Sequence, residues 1–287
     1  MSTDQGVEHG RATAEWLALR EPADAAARSL TLVDELAVQL SARRVRGLVA
    51  DPVVVHDLGS GTGSMRRWLS PRLPWPQHWV QHDRDGELAE AWPDDAPAAL
   101  IGSEARLEPT SCHCELADLT AGHLATADLI TCSALLDVLT EEAADRLVAV
   151  AARRRVPMLL TLTVVGRVAL DPVDPLDEAL RTAFDDHQRR RTPAGRLLGP
   201  DAVPYLTARL ARGTGAMVRT EPSPWQLGPS SARLAAAWLH GWLAAAVDSD
   251  PALAEAVAPY RGLRRAQLAA RSLLVTVEHA DLLVWWP

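Results

Sequence analysis

Val53-Val54-Val55-His56-Asp57-Leu58-Gly59-Ser60-Gly61-Thr62-Gly63-Ser64 is the stretch that decides the fold of this chain. The β-branched run before Asp57 predicts a buried strand, and the alternating glycines predict a sharp turn behind it. Such glycines let backbone N–H groups approach a ligand closely. Ser64 is predicted to cap the helix that follows. A strand that ends in a carboxylate and enters such a loop predicts a nucleotide-type site at the carboxyl edge of a sheet.

Length, charge and cysteine content narrow the class of protein. A chain of 287 residues can bury a large core without a disulfide or a metal. Three cysteines and a start without an apolar leader predict a reducing, cytoplasmic location. Apolar runs are interrupted by charges or prolines, so no membrane partner is expected. The net charge of −8 disfavours nucleic-acid partners, although a small basic cleft stays open as an alternative.

Downstream of residue 50, strand patterns alternate with helix patterns, which predicts an α/β fold with a doubly wound, mostly parallel seven-stranded sheet. The helices are predicted at about 86–92, 141–153, 176–190 and 200–212. After the first strand, the predicted strands are His78–His82, Ser111–Leu116, Leu129–Cys132, Pro157–Val165, Ala216–Thr220 and, at the C-terminus, Leu273–Val277 or Leu282–Trp286.

Two helical regions flank this pattern. Residues 1–50 are predicted to form an N-terminal helical cap, with helices from residue 8 to 50 and a break at Glu21-Pro22. The domain over 51–287 is predicted to carry a helical insertion at about 228–271, with helices near 230–247 and 251–271. Leu234, Trp238 and Trp242 share one face of the first of these helices, which predicts core packing; a ligand platform is the alternative.

Two segments resemble motifs of one protein family. Asp57-Leu58-Gly59-Ser60-Gly61-Thr62-Gly63 resembles the first motif of class I S-adenosylmethionine-dependent methyltransferases, and Asp128-Leu129-Ile130-Thr131-Cys132-Ser133-Ala134-Leu135-Leu136-Asp137 resembles the fourth. The resemblance covers about residues 50–165. It implies a Rossmann-like methyltransferase domain with S-adenosyl-L-methionine as the cofactor. The N-terminal helices and the insertion lie outside it.

The resemblance also implies roles for single residues. Asp83 ends the second strand, where an acidic side chain binds both ribose hydroxyls, as in dinucleotide sites. Asp118 and the Leu119 backbone would bind the adenine, and Asp57 would orient the glycine loop or the ammonium group of the cofactor. The full set of implied cofactor-binding residues is Asp57, Gly59, Ser60, Gly61, Gly63, Asp83, Asp118, Leu119 and Ser133.

Competing cofactors fit the sequence less well. A dinucleotide fingerprint is Gly-x-Gly-x-x-Gly, whereas this loop is Gly-x-Gly-x-Gly followed by Ser64. Cys112-His113-Cys114 suggests zinc at first sight. In a strand, however, Cys112 and Cys114 share a face and His113 points away, and no second Cys/His pair has standard spacing. We therefore expect no metal.

The residues after the fourth strand bear on the methyl acceptor. Ser133-Ala134-Leu135-Leu136 lacks the Asn/Asp/Ser-Pro-Pro-aromatic run of enzymes that methylate exocyclic amines of nucleic acids. Cys132 has no preceding proline, so we interpret it as a buried strand-end cysteine rather than as the nucleophile of cytosine methylation. We expect a small polar metabolite, methylated on oxygen or nitrogen by in-line transfer.

Candidate acceptor-site residues follow from position. Asp137 and His187 are the candidate catalytic residues: Asp137 as a polar side chain near the substrate, with a helix-start or surface aspartate as the alternative, and His187 as a possible base. Arg20, Asp24 and Arg28 share a helical face if Pro22 lies in a first turn. Arg20 and Arg28 are then candidates for binding an anionic substrate, with a solvated helix face as the alternative.

Two other functions stay open. The chain could be a non-catalytic S-adenosylmethionine-binding module that acts through a partner, with tryptophans of the insertion in a homodimer interface. It could also be a ribosomal-RNA methyltransferase, which a basic groove on the surface would favour.

Overall fold

The computed structural model describes residues 7–8, 11–85, 88, 110–113 and 122–287. Within them, no helix is long and apolar enough to cross a membrane. The α-helices of this part are α1 Ala14–Ala27, α2 Leu30–Val45, α3 Ser64–Leu69, α4 Glu141–Arg154, α5 Asp177–Gln188, α6 Ala202–Ala211, α7 Ala232–Ser249 and α8 Ala254–Ala269. The strands are β1 Val7–Glu8, β2 Arg11–Ala12, β3 Val53–Leu58, β4 Gln77–Asp83, β5 Thr110–His113, β6 Leu129–Ser133, β7 Met158–Asp171, β8 Arg191–Thr192, β9 Gly195–Arg196, β10 Met217–Pro222, β11 Trp225–Leu227 and β12 Leu274–Trp285.

A single large sheet organises the fold. Seven of its strands lie in the order β10-β12-β7-β6-β3-β4-β5, and β11 pairs with β12 outside this path. The central strand β3 is parallel to β4 and β6, which are parallel in turn to β5 and β7. Only β12 runs antiparallel to its neighbours on this path. The predicted α/β class and doubly wound sheet are therefore confirmed, and the carboxyl ends of β3, β4 and β6 meet at one edge.

Helices cover both faces of the sheet. Alternate residues of a strand point to opposite faces, and the core divides accordingly. Val53 and Val55 of β3 pack with Leu32 and Leu36 of α2 on one face. Leu58 belongs to the cluster on the other face, with residues of α4 and α6. Burial on both faces explains why the parallel strands are apolar runs rather than alternating patterns.

Two strands extend further than their sequence patterns predict. β7 continues to Asp171 instead of ending at Val165, and β12 joins the two C-terminal candidate segments into one strand. They pair antiparallel, with Met158 opposite Val284 and Asp171 opposite Leu274. Each strand supplies backbone partners to the other, so both continue beyond the apolar residues that the local pattern detects.

Helix α1 starts later and ends later than the sequence predicts. Residues before Ala14 include the short strands β1 and β2 instead of helix. Pro22 lies inside α1, so the predicted break at Glu21-Pro22 is wrong and Pro22 is not in a first turn. The chain breaks instead at Ser29, whose hydroxyl caps α2 by accepting from the Leu32 N–H at 3.3 Å. Contacts of the α1 face with the rest of the molecule stabilise helix through the proline, against its local propensity.

The insertion forms a second apolar cluster. Helices α7 and α8 pack with α5 and with the outer part of the β7–β12 pair. The rings of Trp238 and Trp242 stack with centroids 5.2 Å apart, and both side chains are buried. The prediction that this face of α7 is core packing is confirmed.

Candidate functional site

The glycine loop follows β3 and lies against the end of β4. The N–H groups of Gly59 and Ser60 donate to the His82 carbonyl at 2.8 and 3.2 Å. Gly59 and Gly61 have φ angles of 62° and 51°, in the left-handed region that glycine enters without steric cost. A Cβ on Gly59 would lie 2.8 Å from Leu135 Cδ1. A side chain at position 59 would therefore be strained by the φ angle, and Leu135 would have to shift to make room for it.

The start of the next helix differs from the prediction. Gly63, with a φ of 80°, is the N-cap of α3, and its N–H donates to the Ser60 carbonyl at 2.9 Å. Ser64 is the first helical residue and does not cap the helix. Its hydroxyl accepts a hydrogen bond from the Arg28 guanidinium at 3.1 Å, a charged donor that competes well with a backbone N–H.

Asp83, at the end of β4, contacts the glycine loop directly. Its Oδ2 accepts from the Gly61 N–H at 2.7 Å, and its Oδ1 accepts from the Asp85 N–H at 2.9 Å. Each carboxylate oxygen has two lone pairs, so both oxygens keep acceptor capacity for hydroxyl groups. The predicted hydroxyl acceptor is therefore also the tether of the loop, a role that its sequence position did not indicate.

Asp57 is buried beneath the loop. Only 1% of the residue is exposed, and its Oδ1 accepts from the Thr131 hydroxyl at 2.7 Å. Its Oδ2 has no hydrogen-bond partner among the described residues. Burial raises the pKa of this carboxyl to about 7, with the Thr131 hydrogen bond and the charge of Arg28 opposing the shift. An unpaired, shielded carboxylate oxygen here is suited to a cationic group.

Arg28 joins the two segments that resemble family motifs. Its Nη2 donates to the hydroxyls of Ser64 and Ser133 at 3.1 and 3.0 Å. Ser64 follows the glycine loop and Ser133 ends β6, so one guanidinium spans the crevice between them. The sequence assigned Arg28 to the substrate together with Arg20. In the structure its guanidinium lies beside the glycine loop, in hydrogen-bond contact with Ser133.

Comparisons with known proteins concern the fold. No protein-family model and no curated protein matches the chain. A solved structure of the cyclopropane synthase MmaA2 from Mycobacterium tuberculosis is similar at 13% identity and a TM-score of 0.44, over 85% of this chain and 82% of that one. An S-adenosylmethionine-dependent methyltransferase from Thiobacillus denitrificans, in complex with S-adenosyl-L-homocysteine, is similar at 17% identity and a TM-score of 0.40, over 94% and 98%.

Helix α1 and its C-cap lie over the glycine loop, at the carboxyl edge of the sheet. Arg20 and Asp24 lie on α1 and Arg28 is its C-cap; Asp24 and Arg28 are buried and Arg20 is partly buried, so they do not form a solvated face. Arg20 Nε donates to Asp24 Oδ2 at 2.9 Å, and its guanidinium lies 5.0 Å from the Trp225 ring centroid. The Trp225 indole N–H donates to Asp24 at 3.0 Å. A Cβ added to Gly61 would lie 3.0 Å from Leu17 Cδ1, so α1 contacts the glycine loop here.

The charge of Arg190 acts on both Asp137 and His187. Asp137 is in a short 3₁₀ turn, Leu136–Val138, and its Oδ1 has no partner among the residues described. Burial raises the pKa of Asp137, while a backbone hydrogen bond and the charges of Arg20 and Arg190 oppose this. His187 Nε2 lies 3.4 Å from Asp248 Oδ2 on α7. Burial and Arg190 lower the pKa of His187. The structure thus brings Asp137 close to Arg20, and places His187 against the insertion.

Some predicted site residues lie outside the described part of the chain. These are Asp118 and Leu119, expected at the adenine, together with Cys114 of the rejected zinc pattern. In the described part, no group of three or more His, Cys, Asp or Glu side chains is arranged to hold a metal ion. Cys132 is fully buried, and burial raises the pKa of its thiol.

Asp281 is a site-forming residue that sequence reasoning missed. It lies on β12 and is fully buried. Its Oδ2 accepts from the Ser29 N–H and its Oδ1 from the Leu162 N–H, both at 2.8 Å. Leu162 has a φ of 56° in a bulge of β7. Asp281 thus holds the α1–α2 junction on the sheet. The available signal was a carboxylate directly before the apolar run of residues 282–286, since buried charges need partners.

Proposed function

We propose that this chain is an S-adenosylmethionine-dependent methyltransferase that methylates an oxygen or nitrogen of a small polar metabolite. The observation that carries the proposal is the hydrogen bond from the Gly61 N–H to Asp83 at 2.7 Å. It joins the carboxyl ends of two parallel strands and places carboxylate acceptors beside the glycine loop. That combination suits a nucleoside linked to an amino acid.

The polar groups of the crevice fit the cofactor. Asp83 would accept from the ribose hydroxyls, and Asp57 Oδ2 would accept from the amino-acid ammonium group. Asp118 and Leu119, outside the described residues, are proposed at the adenine. When bound, the cofactor supplies a methyl group that is already activated on a sulfonium centre.

The remaining task of the protein is to position the acceptor and exclude water. In-line transfer needs the acceptor atom about 3 Å from the methyl carbon. Asp137 is proposed to remove the acceptor's proton, because its shielded Oδ1 has no partner in the described structure and its raised pKa suits a base. Arg20 would hold an anionic part of the acceptor next to it. His187 is the second candidate base.

Helical coverage supports a small acceptor. We propose residues 1–50 as a cap and 51–287 as the methyltransferase domain with the 228–271 insertion. Leu17 of the cap lies over Gly61, and the insertion packs on the β7–β12 extension. A long polyanion would also meet a net charge of −8. The acceptor is therefore proposed to be a metabolite rather than RNA.

The test is label transfer from methyl-radioactive donor into a cell extract fractionated by size, with S-adenosylhomocysteine binding measured by calorimetry. Binding together with label in the small-molecule fraction supports the proposal. Label only in RNA or protein contradicts the acceptor class. Binding without transfer into any fraction would instead favour a non-catalytic module. A cytoplasmic location and a homodimer are further predictions, tested by cell fractionation and light scattering.

A further inference from the structure

Arg28 is a buried cation with unused hydrogen-bonding capacity. Only 3% of the residue is exposed. Its Nη2 donates to Ser64 and Ser133, whereas Nε and Nη1 have no hydrogen-bond partner among the described residues. The guanidinium also lies 5.4 Å from the Trp68 ring centroid. A buried guanidinium is costly unless its donors are matched.

The two hydroxyls that accept from Arg28 are themselves hydrogen-bond donors, while the nearby carboxylates of Asp24, Asp57 and Asp281 act on it by charge. Ser64 and Ser133 accept from Arg28 through their oxygens, so each hydroxyl keeps its own O–H to donate. Together with the buried Nε and Nη1, they make a cluster of N–H and O–H donors around one guanidinium. Such a set matches an anion with several acceptor oxygens, and a carboxylate fits it in charge and size.

The neighbouring carboxylate indicates which molecule carries that anion. Asp57 and Arg28 are close enough for each to shift the pKa of the other. Asp57 Oδ2 nevertheless lacks a hydrogen-bond partner in the described structure, as Arg28 Nε and Nη1 do. An amino-acid end presents an ammonium and a carboxylate on one carbon. It would satisfy both residues at once, next to the glycine loop.

We infer that Arg28, Ser64 and Ser133 form a carboxylate site for the amino-acid end of the donor, an inference that rests on the proposed function. Arg28 is the C-cap of α1, and the next residue, Ser29, is held by Asp281. The donor carboxylate therefore also ties the N-terminal cap to the sheet. Arg20, which contacts Asp24 and Trp225, then remains the arginine of the N-terminal cap that is proposed to bind the acceptor.

The experiment is a thermodynamic cycle measured by calorimetry. Its ligands are S-adenosylhomocysteine and the decarboxylated analogue, which keeps the ammonium group. In the wild-type protein, loss of the carboxylate should weaken binding about ten- to a hundredfold, the effect of hydrogen bonds to charged groups. In Arg28→Met the same loss should change affinity by less than about twofold. In Arg28→Lys, which keeps the charge, the loss of affinity should lie between those of the wild type and Arg28→Met. This variant replaces Arg28→Met in the cycle if the latter does not fold.

Arg72→Met is the matched control, because Arg72 lies 4.8 Å from the same Trp68 ring on the exposed side. It should keep the wild-type difference between the two ligands. An equal penalty in the wild type and the Arg28 variants would overturn the carboxylate site alone. Failure of the wild type to bind either ligand would overturn the proposed function, and this inference with it.

Hydrogen exchange gives a readout that does not depend on affinity. At saturation, S-adenosylhomocysteine should protect residues 14–45 more than the decarboxylated analogue does, and this difference should vanish in Arg28→Met. Equal protection by both ligands in the wild type would contradict the proposed link to the cap.

Discussion

The Gly61 N–H donates to the Asp83 carboxylate at 2.7 Å. Gly61 follows β3 and Asp83 ends β4, the parallel strand next to it. Their hydrogen bond therefore links the carboxyl ends of the two strands. Asp83 therefore combines two properties: it holds the loop in shape, and it keeps lone pairs for a ligand. Changes at either residue should act on ligand binding before they act on the fold.

Gly61→Arg should abolish S-adenosylhomocysteine binding in calorimetry while the protein stays folded. The residue has a φ of 51°, and a Cβ there would meet Leu17 Cδ1 at 3.0 Å. The long side chain would fill the crevice. Gly213→Arg is the control, since Gly213 has a φ of 77° with nothing within 4 Å of an added Cβ. Equal affinity in both variants would contradict the loop assignment.

Asp83→Ala should weaken S-adenosylhomocysteine binding by about 1–3 kcal/mol, because a charged acceptor of hydrogen bonds is lost. Asp83→Asn keeps an acceptor for Gly61 and should lose less. Asp51→Ala, at a carboxylate whose side chain is 67% exposed, should leave affinity unchanged. Wild-type affinity in Asp83→Ala would place the ribose elsewhere.

Asp57 should make stability depend on pH. Its pKa rises from 3.8 to about 7 on folding, so the native state holds the proton more tightly than the unfolded state. Protonated Asp57 therefore stabilises the native state. This contribution is complete below the pKa of the unfolded state and is lost as the pH rises through the pKa of the folded state. Asp57→Asn removes this dependence. Its free energy of unfolding relative to wild type should therefore increase from pH 4 to 8, by at most about 1.4 kcal/mol per pH unit.

Urea unfolding of both proteins across this range measures the effect. A constant difference between Asp57→Asn and the wild type would mean that Asp57 titrates normally in the native state. The Thr131 hydroxyl donates a hydrogen bond to Asp57, and an asparagine side chain can accept the same bond. The comparison therefore measures the effect of the charge at position 57 alone.

Asp137→Asn should lower the rate of methyl transfer about a hundredfold or more if Asp137 is the base. Its affinity for S-adenosylhomocysteine should not change, because the residue lies in the turn beyond Ser133 rather than at the glycine loop. His187→Gln, at the second candidate base, is the parallel variant. A larger rate loss in His187→Gln than in Asp137→Asn would reverse the assignment.

The insertion should depend on a buried ion pair. Arg264 is fully buried, donates to Asp177 Oδ1 at 2.5 Å and to the Pro172 carbonyl at 2.6 Å. Asp177→Ala should lower the free energy of unfolding by about 3–5 kcal/mol, because it leaves a buried guanidinium unpaired. The double variant Asp177→Ala/Arg264→Met should be more stable than Asp177→Ala alone. Denaturant unfolding would contradict this if the double variant were the less stable one.

The glycine loop, the adjacent strands and the buried face of α7 were predictable because each follows from a local pattern. A β-branched run, alternate glycines and the four-residue spacing of Leu234, Trp238 and Trp242 are all visible among neighbours in sequence. Pro22 shows the limit of such patterns. Its local preference predicts a break, but the contacts of Arg20, Asp24 and Arg28 stabilise helix on both sides of it.

The sequence by itself determined the sheet class, the position of the loop and the carboxylates that border it. Short-range chemistry decides these features: which residues turn, which alternate and which end a strand. Only the tertiary structure decided that Asp83 holds Gly61, that Arg28 reaches Ser133 and that Asp281 anchors the α1–α2 junction. Those pairs are far apart in the chain, and long-range packing brings them together by burying charged groups whose partners no local pattern identifies.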